Sequence, residues 1–238
     1  MTEKGKVLGK KYSYQATDIL EALKHAFKYS RYQCDFLEAE IKKFNHKKVK
    51  ILDFGAGIGT YPDMLKELGY EIDCVEKDPD MIKLLKKNHR KVYEDISLVK
   101  EKYDVIYSLN VLEHIEDDTG MLAQLRGCLK DNGKIIIFIP AFNLIYNKLD
   151  VKSGHYRRYR KKDFRKLAED TNLKLARVNY CEPIGFIIAL IYRIIRGSDN
   201  LNPRSVHVYD KYLFPISVYL EPATKRFFGK NILGVFTK

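Results

Sequence analysis

The sequence predicts an α/β fold with a doubly wound, largely parallel sheet. Apolar runs alternate with stretches of helical spacing from residue 49 to residue 140, and the first run opens directly into a glycine-rich turn. Strands that alternate with helices in this way pair in parallel and are covered by helices on both faces. The expected strands cover residues 49–54, 70–75, 90–93, 103–109 and 134–139.

Two further segments flank this alternating core. Apolar residues recur near helical spacing from residue 17 to residue 44, which predicts one or two N-terminal helices. Tyr29, Arg31 and Tyr32 are expected to serve helix packing, with contact to cofactor or acceptor as the alternative. Two more strands are expected at 173–180 and 232–237, and the stretch between them is too long for a hairpin loop. The predicted organisation is one domain with a helical cap at 1–48, a core at 49–180, a helical insertion at 181–230 and a last strand at 231–238.

The glycine-rich turn, with the letters VKILDFGAGIGT at Val49–Thr60, predicts a ligand-binding loop. Its glycines Gly55, Gly57 and Gly59 occupy alternate positions after the strand. Glycines there let the backbone approach a ligand and direct free N–H groups at it. A dinucleotide fingerprint, G-x-G-x-x-G, would need a third small residue where Thr60 stands, so the spacing disfavours a dinucleotide.

Acidic residues follow at informative positions. Asp53 ends the first expected strand, and Glu76 ends the second. A carboxylate about 20 positions after the glycine loop is placed to accept hydrogen bonds from both ribose hydroxyls of a nucleoside. Asp78 and Pro79 then open a helix, with Asp78 as the expected N-cap. The pattern therefore predicts a ligand that contains a nucleoside.

These motifs resemble those of class I S-adenosylmethionine (SAM)-dependent methyltransferases. The pattern D-x-G-x-G-x-G is similar to their motif I, and Tyr103–Asp117 resembles motif IV and its extension, including the L-E-H-[IV] segment of the ubiquinone-biosynthesis type. Tyr93–Ile96 falls where the family has an acidic residue that contacts the adenine amino group. The turn Asp131–Gly133 stands where the family has an L-x-P-G-G segment, with Asp131 in place of the proline.

The resemblance implies a Rossmann-like sheet of seven strands whose last two form an antiparallel end. It also implies that the chain binds SAM as methyl donor and releases S-adenosyl-L-homocysteine. Asp53 would engage the amino-acid end of SAM, and Asn110 would lie near its methionine moiety. The full set of cofactor contacts carried over from the family is Asp53, Gly55, Ala56, Gly57, Gly59, Thr60, Glu76, Lys77, Met81, Asp95, Ile96, Asn110, Val111 and His114.

A basic segment after the fifth expected strand, Ser153–Phe164, predicts the acceptor site. A similar H-x-R-R-Y segment occurs in bacterial methyltransferases linked with sugar or surface-polymer biosynthesis. His155 is the first candidate base, because its ordinary pKa suits proton transfer at neutral pH. His114 is the second, with packing beneath the cofactor as its alternative role. The predicted acceptor contacts are Tyr156, Arg157, Arg158 and Tyr159, and the alternative for the whole segment is a helix start with solvated arginines.

Composition predicts a cytoplasmic globular protein whose positive charge is either a solvated basic surface or a means of attracting an anionic partner. Hydrophobic residues make up 45% of the chain and charged residues 31%, which fits a soluble globular protein. The four cysteines form no C-x-x-C pair, so no structural zinc site is expected. No other metal is expected either, because transfer of a methyl group from SAM requires none and the sequence shows no cluster of carboxylates or histidines. The N-terminus is polar and basic, unlike a secretory signal. The net charge of +12 favours an anionic acceptor, an acidic membrane face or nucleic acid as partner.

The insertion contains an apolar stretch at residues 183–197 that has two interpretations. Its uninterrupted apolar part is about half of the roughly 20 residues that span a bilayer. It is either a buried helix that covers the acceptor, or a helix that lies in a membrane interface with Arg193 and Arg196 near phosphate groups. The second interpretation places the protein at the inner face of a membrane.

The predicted function is methyl transfer from SAM to a hydroxyl or amine of a small-molecule, sugar or lipid-linked acceptor. An NAD-dependent oxidoreductase is one alternative; it shares the fold and the argument from Glu76, but Thr60 and residues 110–114 disfavour it. A module that binds or modifies RNA is another. The charge favours it, whereas the chain lacks an aromatic-plus-basic RNA signature.

Overall fold

Seven strands form a single sheet in the computed structural model, which describes residues 26–46, 48–88, 91–194 and 202–238. The strands are β1 (Ile51–Phe54), β2 (Ile72–Val75), β3 (Val92–Tyr93), β4 (Tyr103–Leu109), β5 (Leu129–Pro140), β6 (Lys174–Cys181) and β7 (Asn231–Thr237). Their order is β3-β2-β1-β4-β5-β7-β6, and β7 runs antiparallel to both neighbours. The predicted doubly wound, Rossmann-like sheet with an antiparallel end is confirmed.

Helices connect these strands. They are α1 (Phe27–Ile41), α2 (Thr60–Glu67), α3 (Pro79–Leu85), α4 (Asp118–Gly127), α5 (Lys148–Ser153), α6 (Lys161–Asp170), α7 (Pro183–Ile194), α8 (Pro203–Val208) and α9 (Phe214–Thr224). A π-helical turn joins α8 to α9. The predicted helical residues 17–25 and 195–197 lie outside the described residues, and the division into cap, core and insertion stays a prediction. No helix in the described ranges is long and apolar enough to cross a membrane.

The central strands are buried on both faces of the sheet. In β5, Ile135 and Ile137 belong to one hydrophobic core, whereas Ile136 and Phe138 belong to the other. The first core is completed by α4 and α6, and the second by α1, α2 and α3. Strands with apolar residues at consecutive positions are typical of parallel sheets covered by helices on both sides. The continuous apolar runs therefore explain why helices lie on both faces.

β5 begins at Leu129 rather than at residue 134, because a bulge is built into it. Tyr103 pairs with Leu129 and Val105 with Lys134, so one residue of β4 lies opposite four of β5. Asn132 in this bulge has a φ of 62°, a left-handed conformation that Asn adopts more readily than most residues. The predicted turn thus lies inside the strand. β3 is shorter than predicted, and residue 90 of that prediction lies outside the described residues.

The helical segment between β6 and β7 is joined to α1 by buried polar contacts. The carboxylate of Asp210 accepts hydrogen bonds from the backbone N–H groups of Lys28 at 2.9 Å and Tyr29 at 2.8 Å. These groups lie in the first turn of α1, which has no capping side chain next to it in sequence. Tyr32 donates to Glu221 at 2.8 Å, so it serves helix packing. The contacts hold α1 against a segment near the other end of the chain.

We expect Gly234→Ala to destabilise the fold by roughly 1–3 kcal/mol, because a Cβ at this position in β7 would overpack the core. It would lie 2.2 Å from Cε1 of the buried Phe164, which stacks on Phe236. The matched control is Gly127→Ala at the end of α4, where a Cβ would meet nothing within 4 Å. Urea unfolding of both variants checks this, and equal stabilities would contradict it.

Candidate active site

The carboxyl ends of β1, β2, β4 and β5 border a cavity of about 1800 Å³. Phe54, Val75, Leu109 and Pro140 line it from the ends of these four strands, and α1, α5, α7 and α8 supply further walls. Open α/β sheets bind ligands beyond the carboxyl ends of their strands. A pocket for one drug-sized ligand measures about 300–1,000 Å³, so this cavity has room for two ligands.

The glycine turn after β1 is packed so closely that a side chain would not fit at its first glycine. Gly55 has a φ of 85°, and a Cβ there would lie 2.3 Å from Cγ2 of Val111. The N–H groups of Gly55 and Ala56 donate to the carbonyl of Val75 at 2.9 and 3.2 Å. The turn is thereby tied to the end of β2 and presents backbone to the cavity.

The carboxylate of Glu76 links this turn to the loop after β2. One oxygen accepts from the N–H of Gly57 at 2.7 Å, and the other accepts from the N–H groups of Lys77 at 2.7 Å and Asp78 at 2.9 Å. Asp78 in turn caps α3, as the sequence predicts, by accepting from two N–H groups of its first turn. Glu76 lines the cavity. Its contact with ribose hydroxyls stays a prediction.

Most of the predicted cofactor contacts lie together on the cavity wall. Those that line it are Asp53, Gly55, Ala56, Gly57, Thr60, Glu76, Lys77, Met81, Asn110, Val111 and His114. Gly59, Asp95 and Ile96 do not line it. Gly59 is the N-cap of α2, Ile96 is buried, and Asp95 accepts from the N–H of Ser97 at 2.9 Å. Asp95 also lies 3.8 Å from the ammonium group of Lys77, a neighbour that does reach the cavity.

The structure engages two of the predicted acceptor contacts within the chain. Arg158 is buried at the cavity wall, and its Nε and Nη2 donate to the two carboxylate oxygens of Asp150 at 2.8 and 3.0 Å. Tyr159 is 2% exposed, and its hydroxyl donates to Asp118 at 2.8 Å. A short parallel bridge between Tyr159 and Ala141 holds this part of the basic segment against the end of β5. The contact of either side chain with an acceptor stays a prediction.

The other two predicted acceptor contacts lie at the surface. Tyr156 is exposed, and the guanidinium of Arg157 pairs with Asp118 at 2.8 Å and donates to the carbonyl of Glu116 at 2.8 Å. Neither residue lines the cavity. Their contact with an acceptor stays a prediction.

His155 is oriented by a buried ion pair. Its Nδ1 lies 2.7 Å from Oδ1 of Asp150, whose carboxylate also binds Arg158. Burial opposes ionisation of Asp150, but the hydrogen bonds from His155 and Arg158 prevail and lower its pKa. An ionised Asp150 accepts the proton of Nδ1, so Nε2 is the free nitrogen of a neutral His155. His155 lines the cavity.

Glu113 and His114 complete a cluster around His155. Glu113 is fully buried, and neither of its carboxylate oxygens has a hydrogen-bond partner within the described structure. One of them lies 3.9 Å from Nε2 of His155. Burial raises the pKa of Glu113 to about 8 and lowers that of His114 to about 4. The ring of His114 packs edge-on against His155 with 4.6 Å between centroids.

Three of the residues at this site could hold a metal ion, although the sequence shows no such cluster, and the absence of a metal stays a prediction. Glu113, His114 and His155 each offer one ligand atom, and these atoms lie within 4.8 Å of one another. Two imidazoles and one carboxylate form a donor set that Zn²⁺ accepts. The cluster combines the turn after β4 with the loop after α5, and separate sequence motifs do not show that these two meet.

Sequence reasoning missed Glu113 and Asp150 as members of the site. The available signal for Glu113 was a carboxylate inside the otherwise apolar run around Leu112 and Ile115. The local sequence indicates only that Asp150 lies in a helix, and it does form a capping box with Asn147 at the start of α5. Its second role, toward His155 and Arg158, depends on the path of the following loop and has no sequence signature.

The strand order and the glycine turn bound to an acidic residue after β2 define a class I SAM-dependent methyltransferase. A family model described as a methyltransferase domain matches residues 21–178, which is more than half of the chain. The chain therefore belongs to this methyltransferase family and is a SAM-dependent enzyme.

Curated relatives match over less than half of this chain. Ubiquinone biosynthesis O-methyltransferase of Pelagibacter ubique is 31% identical over 106 residues, which are 41% of this chain and 43% of that protein. Its mitochondrial counterpart in Schizosaccharomyces pombe is 30% identical over 114 residues, which are 43% of this chain and 42% of that protein. The match thus spans less than half the length of each relative.

A solved structure extends the likeness in fold to nearly the whole chain. Magnesium protoporphyrin IX methyltransferase of Synechocystis PCC 6803, with bound SAM, superposes with a TM-score of 0.54 at 16% identity. The alignment covers 99% of this chain and 87% of that one. The residues present here fit SAM, because a Cβ would fill the cradle at Gly55 and because Glu76 lies beside that cradle on the cavity wall.

We expect Glu76→Ala to weaken SAM binding on the order of 30- to 150-fold, since charge-assisted hydrogen bonds of this kind contribute about 2–3 kcal/mol. The variant also releases the N–H of Gly57, to which Glu76 now binds. Glu67→Ala, at the exposed end of α2, is the control and should bind SAM normally. Isothermal calorimetry measures both, and unchanged affinity in Glu76→Ala would refute the assignment.

The raised pKa of Glu113 predicts a specific dependence of stability on pH. Between the ordinary pKa of 4.5 and about 8, the folded carboxyl keeps a proton that the unfolded chain has released. The contribution of Glu113 to stability therefore falls as pH rises through this window, by up to about 1.4 kcal/mol per pH unit. Glu113→Gln removes this slope, so its stability relative to the native chain should increase from about pH 5 to about pH 8.

Chemical denaturation across that range tests the expectation. His114 makes stability rise with pH between about 4 and 6.5, because its pKa is about 4 in the folded protein and 6.5 in the unfolded chain. This contribution is the same in the native chain and in Glu113→Gln, so it cancels in the comparison. The control is Glu169→Gln on the exposed end of α6, whose stability difference should not change with pH. A difference between Glu113→Gln and the native chain that is constant with pH would contradict the prediction.

Proposed function

We propose that this enzyme methylates a hydroxyl group of a small-molecule, sugar or lipid-linked acceptor, with His155 as general base. The observation that carries the proposal is the orientation of His155 on the cavity wall by Asp150 at 2.7 Å. A hydroxyl acceptor must lose a proton when it receives a methyl group, whereas an amine needs only to arrive unprotonated. A histidine at the cavity wall that is held through one ring nitrogen leaves the other for the proton transfer that the hydroxyl reaction requires.

In the proposed reaction, each residue of the site has a distinct role. SAM, when bound, supplies a methyl group on a positively charged sulfur, so the donor needs no activation. Nε2 of His155 takes the proton that the acceptor oxygen gives up. Asp150 stabilises the imidazolium that results, and Arg158 keeps Asp150 ionised and fixed. The cavity walls hold acceptor and donor close together, and orientation of this kind can supply a large part of the acceleration.

The helical wall of the cavity supports an acceptor with an apolar body and negative charge. Ile188, Ala189 and Tyr192 of α7 give this wall apolar surface, together with Leu149 of α5. The cationic side chains of Lys148, Arg193 and Arg204 line the same cavity. Apolar walls with a few charged groups bind amphiphilic ligands, and the charged groups set their orientation. A lipid-linked or anionic sugar acceptor fits this surface.

Two measurements test the function. Thermal unfolding with SAM or NAD separates the two cofactors, because a ligand at 100 times its dissociation constant adds about 2.7 kcal/mol. Mass spectrometry of lysate fractions incubated with the enzyme and isotopically labelled SAM then identifies the methylated product. Stabilisation by NAD alone, or label found only on RNA with binding that falls steeply with salt, would overturn the proposal.

The Glu113, His114 and His155 cluster gives this function one competing mechanism. A metal ion held there would activate the acceptor hydroxyl directly, with His155 as ligand instead of base. Methyl transfer measured after dialysis against a chelator separates the two mechanisms. Full activity of the metal-free enzyme supports proton transfer to His155, and activity restored only by added Zn²⁺ or Mg²⁺ supports the metal.

We expect His155→Ala to lower kcat by about 10²–10⁴-fold with little change in SAM affinity, the usual cost of a lost general base. Arg158→Ala should also lower kcat, because it frees Asp150, whereas Arg157→Ala should chiefly raise the KM of the acceptor. His46→Ala is the control, since His46 is half exposed and pairs with Asp104 at a distance from the cavity-lining residues. Transfer of labelled methyl groups to the identified acceptor measures all four, and full activity of His155→Ala would exclude it as the base.

A further inference from the structure

The helix α7 has two apolar faces with different surroundings. Its inner face, with Gly185, Ile188 and Ala189, lines the cavity. Its outer face carries Ile187 and Ile191 one turn apart, and these side chains are 48% and 50% exposed. Helices that pack only in a protein core do not leave a stripe of isoleucine in solvent. The inner face therefore covers the cavity, and the outer face lacks a partner within the described structure.

The helix α9 repeats this arrangement beside α7. The two helices pack together, and Oγ of Ser217 accepts a hydrogen bond from the N–H of Ile184 at 3.1 Å. On its other side α9 exposes Ile216, Tyr219 and Leu220 at helical spacing, with Tyr219 83% exposed. Exposed apolar groups that occur singly are normal on a surface, but two neighbouring helices with apolar outer stripes mark an interaction site.

In the described part of the segment between β6 and β7, the basic side chains lie at the surface, whereas the acidic side chains are buried or partly buried. The exposed Lys and Arg residues among the described residues 182–230 are Arg193, Arg204, Lys211, Lys225 and Arg226, of which Arg193 and Arg204 also line the cavity. The acidic residues in the same described part are withdrawn from solvent: Glu182 and Asp210 are buried, and Glu221 is partly buried and accepts from the hydroxyl of Tyr32. The surface that this segment shows to solvent is consequently apolar and cationic.

We propose that the outer faces of α7 and α9 dock on the surface of an anionic lipid bilayer. Apolar and aromatic side chains accompanied by Lys and Arg are the combination that binds a membrane interface, where the apolar groups enter the acyl boundary and the cations meet phosphate. No described helix is long enough to cross the bilayer, so the contact is peripheral. The net charge of +12 adds long-range attraction to the same surface.

A second copy of this chain fits the surface less well than a bilayer does. In a symmetric dimer the same patch lies on both sides of the interface, so the cations of one copy would face those of the other. Interfaces between proteins are also depleted of Lys at their centre. Anionic headgroups neutralise the same cations, and this charge complementarity favours a bilayer over a second copy as the partner of the surface.

Vesicle sedimentation of the full chain tests the proposal. We expect binding to vesicles of equal parts phosphatidylcholine and phosphatidylglycerol at low salt, weaker binding to phosphatidylcholine alone, and release from the mixed vesicles as salt rises. The double variant Ile187→Asp, Ile191→Asp should lower the partition coefficient at least about tenfold, because each isoleucine contributes burial of apolar area. Leu84→Asp is the matched control: Leu84 is 42% exposed on α3, and its variant should bind as the native chain does.

The cationic part has its own pair of variants. Lys225→Glu with Arg226→Glu should lower binding to the mixed vesicles at least about tenfold at low salt, whereas Lys86→Glu with Lys87→Glu at the end of α3 should change it much less. SAM affinity and thermal unfolding confirm that each variant is folded. Absence of binding by the native chain, or equal losses in test and control variants, would overturn the proposal. A dimer in sedimentation velocity that Ile187→Asp dissociates would assign the face to a second copy instead.

Discussion

The burial of the sheet on both faces is the constraint on which the other features depend. Consecutive apolar residues in β1, β4 and β5 contribute to two cores, so helices cover both sides of the sheet. Each connection between neighbouring parallel strands is a crossover. Right-handed crossovers then bring the loops that follow the parallel strands to one edge. The glycine turn, the loop of Glu76 and the turn of Asn110 meet there because of this topology. None of them needs to be near another in sequence.

The two halves of the site are held in different ways. On the cofactor side the contacts are local or come from adjacent strands, as when Glu76 accepts from the N–H of Gly57. On the acceptor side they are made by side chains from separate loops, with Asp150 between His155 and Arg158. A buried ion pair of this type adds little net stability, since desolvation offsets the attraction. What it does provide is a fixed orientation of the histidine ring.

This difference explains how much the sequence could predict. The alternation of strands and helices, the glycine loop and the N-cap Asp78 follow from short motifs whose spacing reflects a strand, a turn and a helix. The antiparallel end of the sheet and most cavity-lining cofactor residues follow from the resemblance of these motifs to the family. The positions of the Arg158 and Tyr159 side chains could not be predicted in this way. They depend on a bridge between Tyr159 and Ala141, and no local sequence pattern predicts that bridge. Glu113 was missed for the same reason: its burial comes from the loop after α5, whose Tyr156 donates its N–H to the carbonyl of Glu113.

The segment between β6 and β7 connects the acceptor side with the protein surface. The buried Asp210 ties it to the first turn of α1, and the same α7 that lines the cavity exposes isoleucines on its other face. A single helix thus separates the reaction cavity from the surrounding medium. One helix therefore meets two constraints, because its inner face lines the cavity and its outer face forms part of the proposed docking surface. A substitution on either face changes an element that both surfaces share.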